Sequence, residues 1–356
     1  QLLQGRAAGV TVTTNSGQPG AAVSVRIRGV NSISGTSEPL YIIDGVPVSG
    51  GEGENGVASP LASLNQNDIE DINILKDASA TAIYGSRGSN GVVIITTKKG
   101  KKGQNSVKYS TFVALQQPIN KIETMNLQQY ATLQNDINRI YNINAIPEFT
   151  DPSSLGPGTD WQNEIFDTAL TQSHQISFQG GAEGISYYIS GNHIEQEGTV
   201  IGSGFERTAV RANIDAKISD RIKAGISLTA SRVGEDLVFN GSSTGVVGLS
   251  LLNNPAIAVF NADGSFAGPG LNDDFRIPNP VAEALSIRDR NVRNRILGNI
   301  YATFKITDKL EFRTEFGGDF GFNNRNTFTP IYQFGEILNE NNNVVDRNQT
   351  TDFVII

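Results

Sequence analysis

One parity runs unbroken from Arg207 to Ser231. In RTAVRANIDAKI (207–218) the even positions hold Val210, Ala212, Ile214, Ala216 and Ile218, and the odd ones Arg211, Asn213, Asp215 and Lys217. After a turn at Ser219-Asp220 the parity resumes. Ile222, Ala224, Ile226, Leu228 and Ala230 alternate with Lys223, Ser227, Thr229 and Ser231. Successive side chains of a strand point to opposite faces, so these residues predict a long antiparallel hairpin with one apolar and one polar face.

The hairpin recurs. KISDRIK (217–223) and KITDKLE (305–311) are nearly the same turn, and the second joins alternating strands at 296–306 and 310–322. A third tight turn at Gly180–Gly184 joins HQISFQ to ISYYISGN. Between them lie longer connections at 116–172, which holds a helical stretch at 127–141, and at 195–206 and 234–290. Regular alternation of short and long connections is the habit of a transmembrane β-barrel, with short turns on the periplasmic side and long loops outside. Roughly 9–11 residues cross a bilayer at the usual tilt. A soluble sandwich also alternates, but its strands run to about 5–6 residues, shorter than several here. Tyr187, Tyr188, Phe320 and Phe322 near strand ends suit either an interfacial girdle or a core.

The first hundred residues read as mixed α/β. VSVRIRGV (23–30), IEDINIL (69–75) and Val92–Thr97 are strands, the last apolar throughout and so buried on both faces. In PLYIIDGVPV (39–48) two apolar runs flank Asp44-Gly45, a type I′ hairpin pair. Pro47 puts the second strand at an edge. Asp77 is placed to cap a helix at 78–84, which Gly85 would end.

The glycines that follow, in YGSRGSNG (84–91), resemble a phosphate cradle, but the order is wrong. Phosphate loops follow a strand and open a helix, whereas here helix comes first and strand last, with no lysine after the glycines. The net charge of −8 excludes the basic footprint of a nucleic-acid binder. With no cysteine and two histidines, no Cys-based metal centre is possible. Asp68, Glu70 and Asp71, and Asp273 and Asp274, read as solvated carboxylates without a pocket; NADGS (261–265) reads as a turn, and His174 and His193 as ordinary polar positions. No run of 18 apolar residues marks a membrane helix. Both ends fall inside patterned segments, so the chain is expected to continue beyond them.

Two blocks, VRIRGVNSISGTSEPLYIIDGVPV (25–48) and IEDINILKDASATAIYGSRGSNGVVIITTKKG (69–100), closely resemble in order and spacing the plug domain of TonB-dependent outer-membrane transporters. More narrowly they resemble the SusC/RagA family of Bacteroidota. DWQNEIFDTALTQSHQISFQGGAEGISYYISGN (160–192) and NNPAIAVFNADGSF (253–266) resemble the start of that family's barrel. The resemblance implies a membrane β-barrel of the 22-stranded transporter type, only about the first third present, with an N-terminal mixed α/β plug domain. Residues 1–103 would be the plug and 104–356 the first barrel strands: seven whole and the start of an eighth.

It implies no enzyme activity and no cofactor, but import of bulky nutrients, glycans or oligopeptides, across the outer membrane, with outer-membrane lipid around the barrel. Expected partners are the TonB–ExbB–ExbD complex, which pulls the plug, and a SusD-like lipoprotein lid. Substrate contact is expected from two polar plug loops, at Ser34, Gly35, Thr36 and Ser37 and at Gly51, Glu52, Glu54 and Asn55. Arg26 and Arg28 would face a polar barrel wall. Three other readings stand: a subunit of a larger outer-membrane assembly, a siderophore-type receptor, and a soluble carbohydrate-binding β-protein. The last predicts apolar faces buried in one domain.

Overall fold

The computed structural model describes residues 9–14, 17–21, 23–29, 37–48, 60–103, 105–270 and 276–355. Near the N-terminus, β1 (Val10–Thr14) pairs antiparallel with β2 (Val23–Ile27). A second sheet holds β3 (Leu40–Ile43), β4 (Val46–Val48), β5 (Ile69–Leu75) and, after α1 (Ala78–Thr81), β6 (Val92–Thr97), in the order β4-β3-β6-β5. Asp44 and Gly45 turn β3 into β4 with φ of 47° and 90°, the positive pair that a type I′ turn demands. β4 lies at the edge, where Pro47 forfeits no ladder bond. Val92, Val93 and Ile95 are fully buried at the sheet centre, alongside Tyr41, Ile43, Val46 and Leu64.

The helix expected at 78–84 is shorter. Beyond α1 the chain tightens to a 3₁₀ turn at Ala82–Gly88, interrupted at Gly85 (φ 59°, ψ −145°). Asp77 makes no side-chain cap bond, because its carboxylate takes the Arg28 guanidinium at 2.5 Å, and a charged donor outcompetes a backbone N–H.

From Ser106 a single antiparallel sheet takes over. It begins with β7 (Ser106–Gln116). A long connection carrying α2 (Leu127–Tyr141) and α3 (Trp161–Ile165) then leads to β8 (Ala169–Ala182), β9 (Ile185–Glu197), β10 (Gly204–Lys217) and β11 (Ile222–Asp236). α4 (Val246–Leu252) and α5 (Pro280–Ser286) precede β12 (Arg288–Thr307) and β13 (Leu310–Thr329); a small hairpin, β14 (Tyr332–Phe334) with β15 (Ile337–Asn339), precedes β16 (Asn343–Ile355). Among the described residues the sheet has eight strands, each beside its sequence neighbour, with β14–β15 an excursion. β12 and β13 run to 20 residues, further than the apolar alternation alone marks. Tight turns at 183–184, 218–221 and 308–309 lie at one end, and connections at 117–168, 198–203, 237–287 and 330–342 at the other. The connection expected at 195–206 is therefore only six residues, because Glu195, Glu197 and Glu206 belong to strands that continue past the apolar stretch.

The apolar face of this sheet points outward. Val210 is 53%, Ile300 54% and Phe316 46% exposed. Their apolar runs cover 210–218 on β10 and the first residue of its turn, 222–230 on β11, 296–306 on β12 and 312–322 on β13, nine to eleven residues each. That length matches an apolar band ~25 Å tall on tilted strands. Above the band one register row turns polar from β8 to β12, where His174, His193, Thr208, Arg232 and Asn294 are successive cross-strand partners; on β13 the same row holds Phe322, the last residue of the band. A soluble sandwich would bury the face that is bare here, so that reading falls.

The long connections build a second core, of Trp161, Ile165, Val200, Val238, Val246, Val281 and Ala284. Trp161 Nε1 donates to the Asn254 carbonyl at 3.0 Å, and Phe266 meets Phe334 edge-on at 5.7 Å. Glu283 of α5 is pushed above the ordinary carboxylate range by burial, against a smaller opposing effect of the Tyr332 hydroxyl. A raised folded pKa favours the protonated fold, so this cap is most stable below the unfolded glutamate value of about 4.3 and loses stability as pH rises through the raised one. Hydrogen exchange of the α4 amides, corrected for intrinsic rates, should show protection falling as pH rises above about 4.3, and Glu283→Gln should flatten that dependence.

Candidate functional site

The inner, polar face of the wall receives the N-terminal sheet, and the contact centres on the Asp44 turn. β10 brings Arg211 to it and β11 brings Ser227, both on the odd, inward parity. Arg211 is 2% and Asp44 9% exposed, and the two form an ion pair. The Asp44 carboxylate also accepts from the Thr97 amide (2.9 Å), the Thr97 hydroxyl (2.7 Å) and Ser227 Oγ (3.0 Å). Asn299 Nδ2 donates to the Asp44 carbonyl at 2.8 Å, and Asn213 Nδ2 donates to Thr97 Oγ1 at 2.9 Å and to the Lys98 carbonyl at 2.6 Å. A buried pair is tolerated only when surrounding groups satisfy its remaining lone pairs and protons, and three further donors serve the carboxylate here.

Asp68 is a second anchor. Expected to be solvated, it is buried: Tyr188 Oη donates to it at 2.7 Å and Gln175 Nε2 at 3.0 Å. Tyr188 is consequently no girdle residue but an inward anchor, since β9 places even positions inside. Further along, Arg207 donates to the carbonyls of Ala62 (3.1 Å) and Leu64 (2.7 Å), while Arg295 holds Asp319 through two bonds and reaches Ser63 Oγ at 3.5 Å.

Close approach needs small residues on the wall. A Cβ on Gly317 would lie 2.9 Å from Val46 Cγ2. Gly317→Val should therefore lift the β3–β4 hairpin from the wall, at about 1–3 kcal/mol. In the full-length protein this should appear as faster limited proteolysis between Leu40 and Thr97, with cleavage in the wall unchanged.

Of the loop residues singled out from the sequence, Ser34, Gly35, Thr36, Gly51, Glu52, Glu54 and Asn55 lie outside the described residues. Ser37 is half-buried, next to Glu38, whose carboxylate accepts from the Val25 amide at 3.1 Å. Arg26 is exposed and Arg28 pairs with Asp77. The anchors themselves were not singled out. Their signal was charge at mid-strand on the polar parity, Arg207 and Arg211, opposite a sheet with a buried turn carboxylate. Among the described residues no group of His, Cys, Asp and Glu is arranged to hold a metal ion.

Residues 1–92 match the family model of the TonB-dependent receptor plug domain. TonB-dependent receptor P3 of Formosa agariphila is 38% identical over 92% of this chain, and TonB-dependent receptor SusC of Bacteroides thetaiotaomicron 32% over 94%. The structure of the RagAB peptide importer in its closed-closed state superposes with a TM-score of 0.76 at 26% identity, over 92% of this chain and 39% of that one. The chain belongs to the SusC/RagA family of TonB-dependent receptors. Its relatives are outer-membrane β-barrel proteins, not enzymes. The N-terminal sheet is thus the plug, and the eight strands are a sector of barrel wall seen from its lipid side and its lumen side at once. The chain spans about a third of the length of these curated relatives, 30% and 34%.

Proposed function

We propose that the whole receptor imports bulky nutrients, glycans or oligopeptides, across the outer membrane. The TonB–ExbB–ExbD complex supplies energy by pulling the plug, and a SusD-like lipoprotein covers the long-loop end. The observation that carries this reading is a folded plug held in the lumen by discrete polar anchors, Asp44–Arg211 chief among them, with Leu297 of the wall joining the plug's apolar core. Such anchors can be exchanged for water one by one, which suits a plug that must move and return. RagAB is a peptide importer, which supports a polymer-sized cargo here.

Plug and barrel are taken to divide at 103/104, consistent with β6 ending at Thr97 and β7 starting at Ser106. The loops holding Ser34, Gly35, Thr36, Ser37, Gly51, Glu52, Glu54 and Asn55 are proposed as the plug's substrate contacts. Support comes from Ala62–Leu64, just beyond the second loop, where the wall's Arg207 and Arg295 meet the plug.

Growth of a strain lacking the receptor tests this. Loss of growth on a particular polysaccharide or on protein hydrolysate as sole carbon source, reproduced by deleting TonB, is expected. A defect confined to iron limitation would instead assign a siderophore receptor. No nutritional defect, with a large outer-membrane complex lost, would assign a structural subunit.

A further inference from the structure

The turn KISDRIK and its near-copy KITDKLE recur in the sequence, a further basic run, KKGKKG (98–103), links β6 to β7, and plug docking uses little of the three. All three meet at one end of the wall. Gly103 N donates to the Gly181 carbonyl at 3.1 Å, beside the 183–184 turn, and Lys305 N donates to the Arg221 carbonyl at 2.7 Å, joining the other two turns. Together, residues 98–103, 183–184, 217–223 and 305–311 hold nine cationic side chains against four carboxylates, a balance of +5 in a chain of −8. The opposite connections, 117–168, 198–203, 237–287 and 330–342, hold three cations against thirteen carboxylates, a balance of −10. The wall is therefore strongly polarised along its axis.

Within the basic rim, Lys217 pairs with Asp220 and Lys305 with Asp308 in the same i,i+3 geometry. Lys101, Lys102, Arg221 and Lys309 are exposed and pair with no carboxylate among the described residues, while Lys223 lies on the inward parity of β11. Directly beside them the outward band ends in exposed Ile218, Ile306 and Leu310. A ring of cations one step beyond an apolar band matches the depth profile of phospholipid: acyl chain against isoleucine and leucine, phosphate against lysine and arginine. The short-turn end faces the periplasm in barrels of this kind.

We propose that this rim is a binding surface for the anionic phospholipid headgroups of the periplasmic leaflet. It fixes the depth of the barrel and holds it upright while the plug is pulled from the same side. The attraction is electrostatic and short-ranged, reaching about a Debye length from the rim.

The full-length receptor in zwitterionic detergent provides the test. Its thermal midpoint is followed while phosphatidylglycerol, phosphatidylcholine or free glycerol phosphate is added. Phosphatidylglycerol should raise the midpoint and the other two should not, and about 0.5 M salt should remove the rise. The variant Lys101→Gln, Lys102→Gln, Arg221→Gln, Lys309→Gln should bind phosphatidylglycerol about tenfold or more weakly. A companion variant with Lys→Arg and Arg→Lys at the same positions should bind as the parent does. An equal rise in the neutralised variant, or an equal rise with free glycerol phosphate, would overturn the proposal.

Discussion

Replacing Arg211 by alanine should loosen the plug more than any other single change among the described residues. It strips the cation from a carboxylate that stays buried against the wall, and breaking one partner of such a pair costs about 3–5 kcal/mol. Thr97 and Ser227 still donate to Asp44, so the plug stays folded but docks weakly. The full-length variant should show raised single-channel conductance in planar bilayers and should admit large antibiotics that the parent excludes. Asp44→Ala combined with Arg211→Ala should be milder than Arg211→Ala alone, because no buried charge is then left unpaired. Equal effects of the single and double variants would mean that the pair is a bystander.

The second large effect concerns the outer face. Ile300 sits near the middle of the 296–306 run on β12, exposed and on the same side as Phe304 and Phe316. Ile300→Arg should destabilise the full-length receptor in lipid by about 2–4 kcal/mol, while Asn294→Arg, in the polar row above the band, should cost about 0–1 kcal/mol. Urea unfolding from liposomes measures the difference. A soluble fold predicts the reverse order of sensitivity, with inward Asn299 and Thr229 the tolerant positions.

Much of this architecture is legible in the residues, and the exceptions have physical causes. Parity from Arg207 to Ser231 defines the wall, because a half-lipid, half-water environment imposes period two without interruption. Asp44-Gly45 is equally plain, since few residue pairs accept positive φ twice. Strand ends are less so: beyond the band both faces meet water, so Glu195, Glu197 and Glu206 look like loop yet continue the ladder. Asp68 reads as solvated because nothing in NDIEDINIL (67–75) distinguishes a carboxylate that meets Tyr188, 120 residues away, from one that meets water. Tyr188 stays open between girdle and core in the residues for the same reason, as two adjacent tyrosines must face opposite sides and only the fold says which side is lipid. The second core, with Trp161 over Asn254, joins connections 93 residues apart and leaves no local period.

The central claim is that the even positions of β10 and β11 face lipid and the odd ones face a plug. This chain contributes no cysteine, so in a full-length receptor otherwise freed of cysteine, single cysteines can be placed at each of 210–216 and 224–230 and labelled with a small fluorophore. Doxyl-labelled lipid and aqueous iodide are then compared as quenchers in liposomes. Even positions should be quenched by the lipid probe and not by iodide, and odd positions by neither, a strict period of two over both strands. Even positions shielded from the lipid probe, or quenching without that period, would contradict the account.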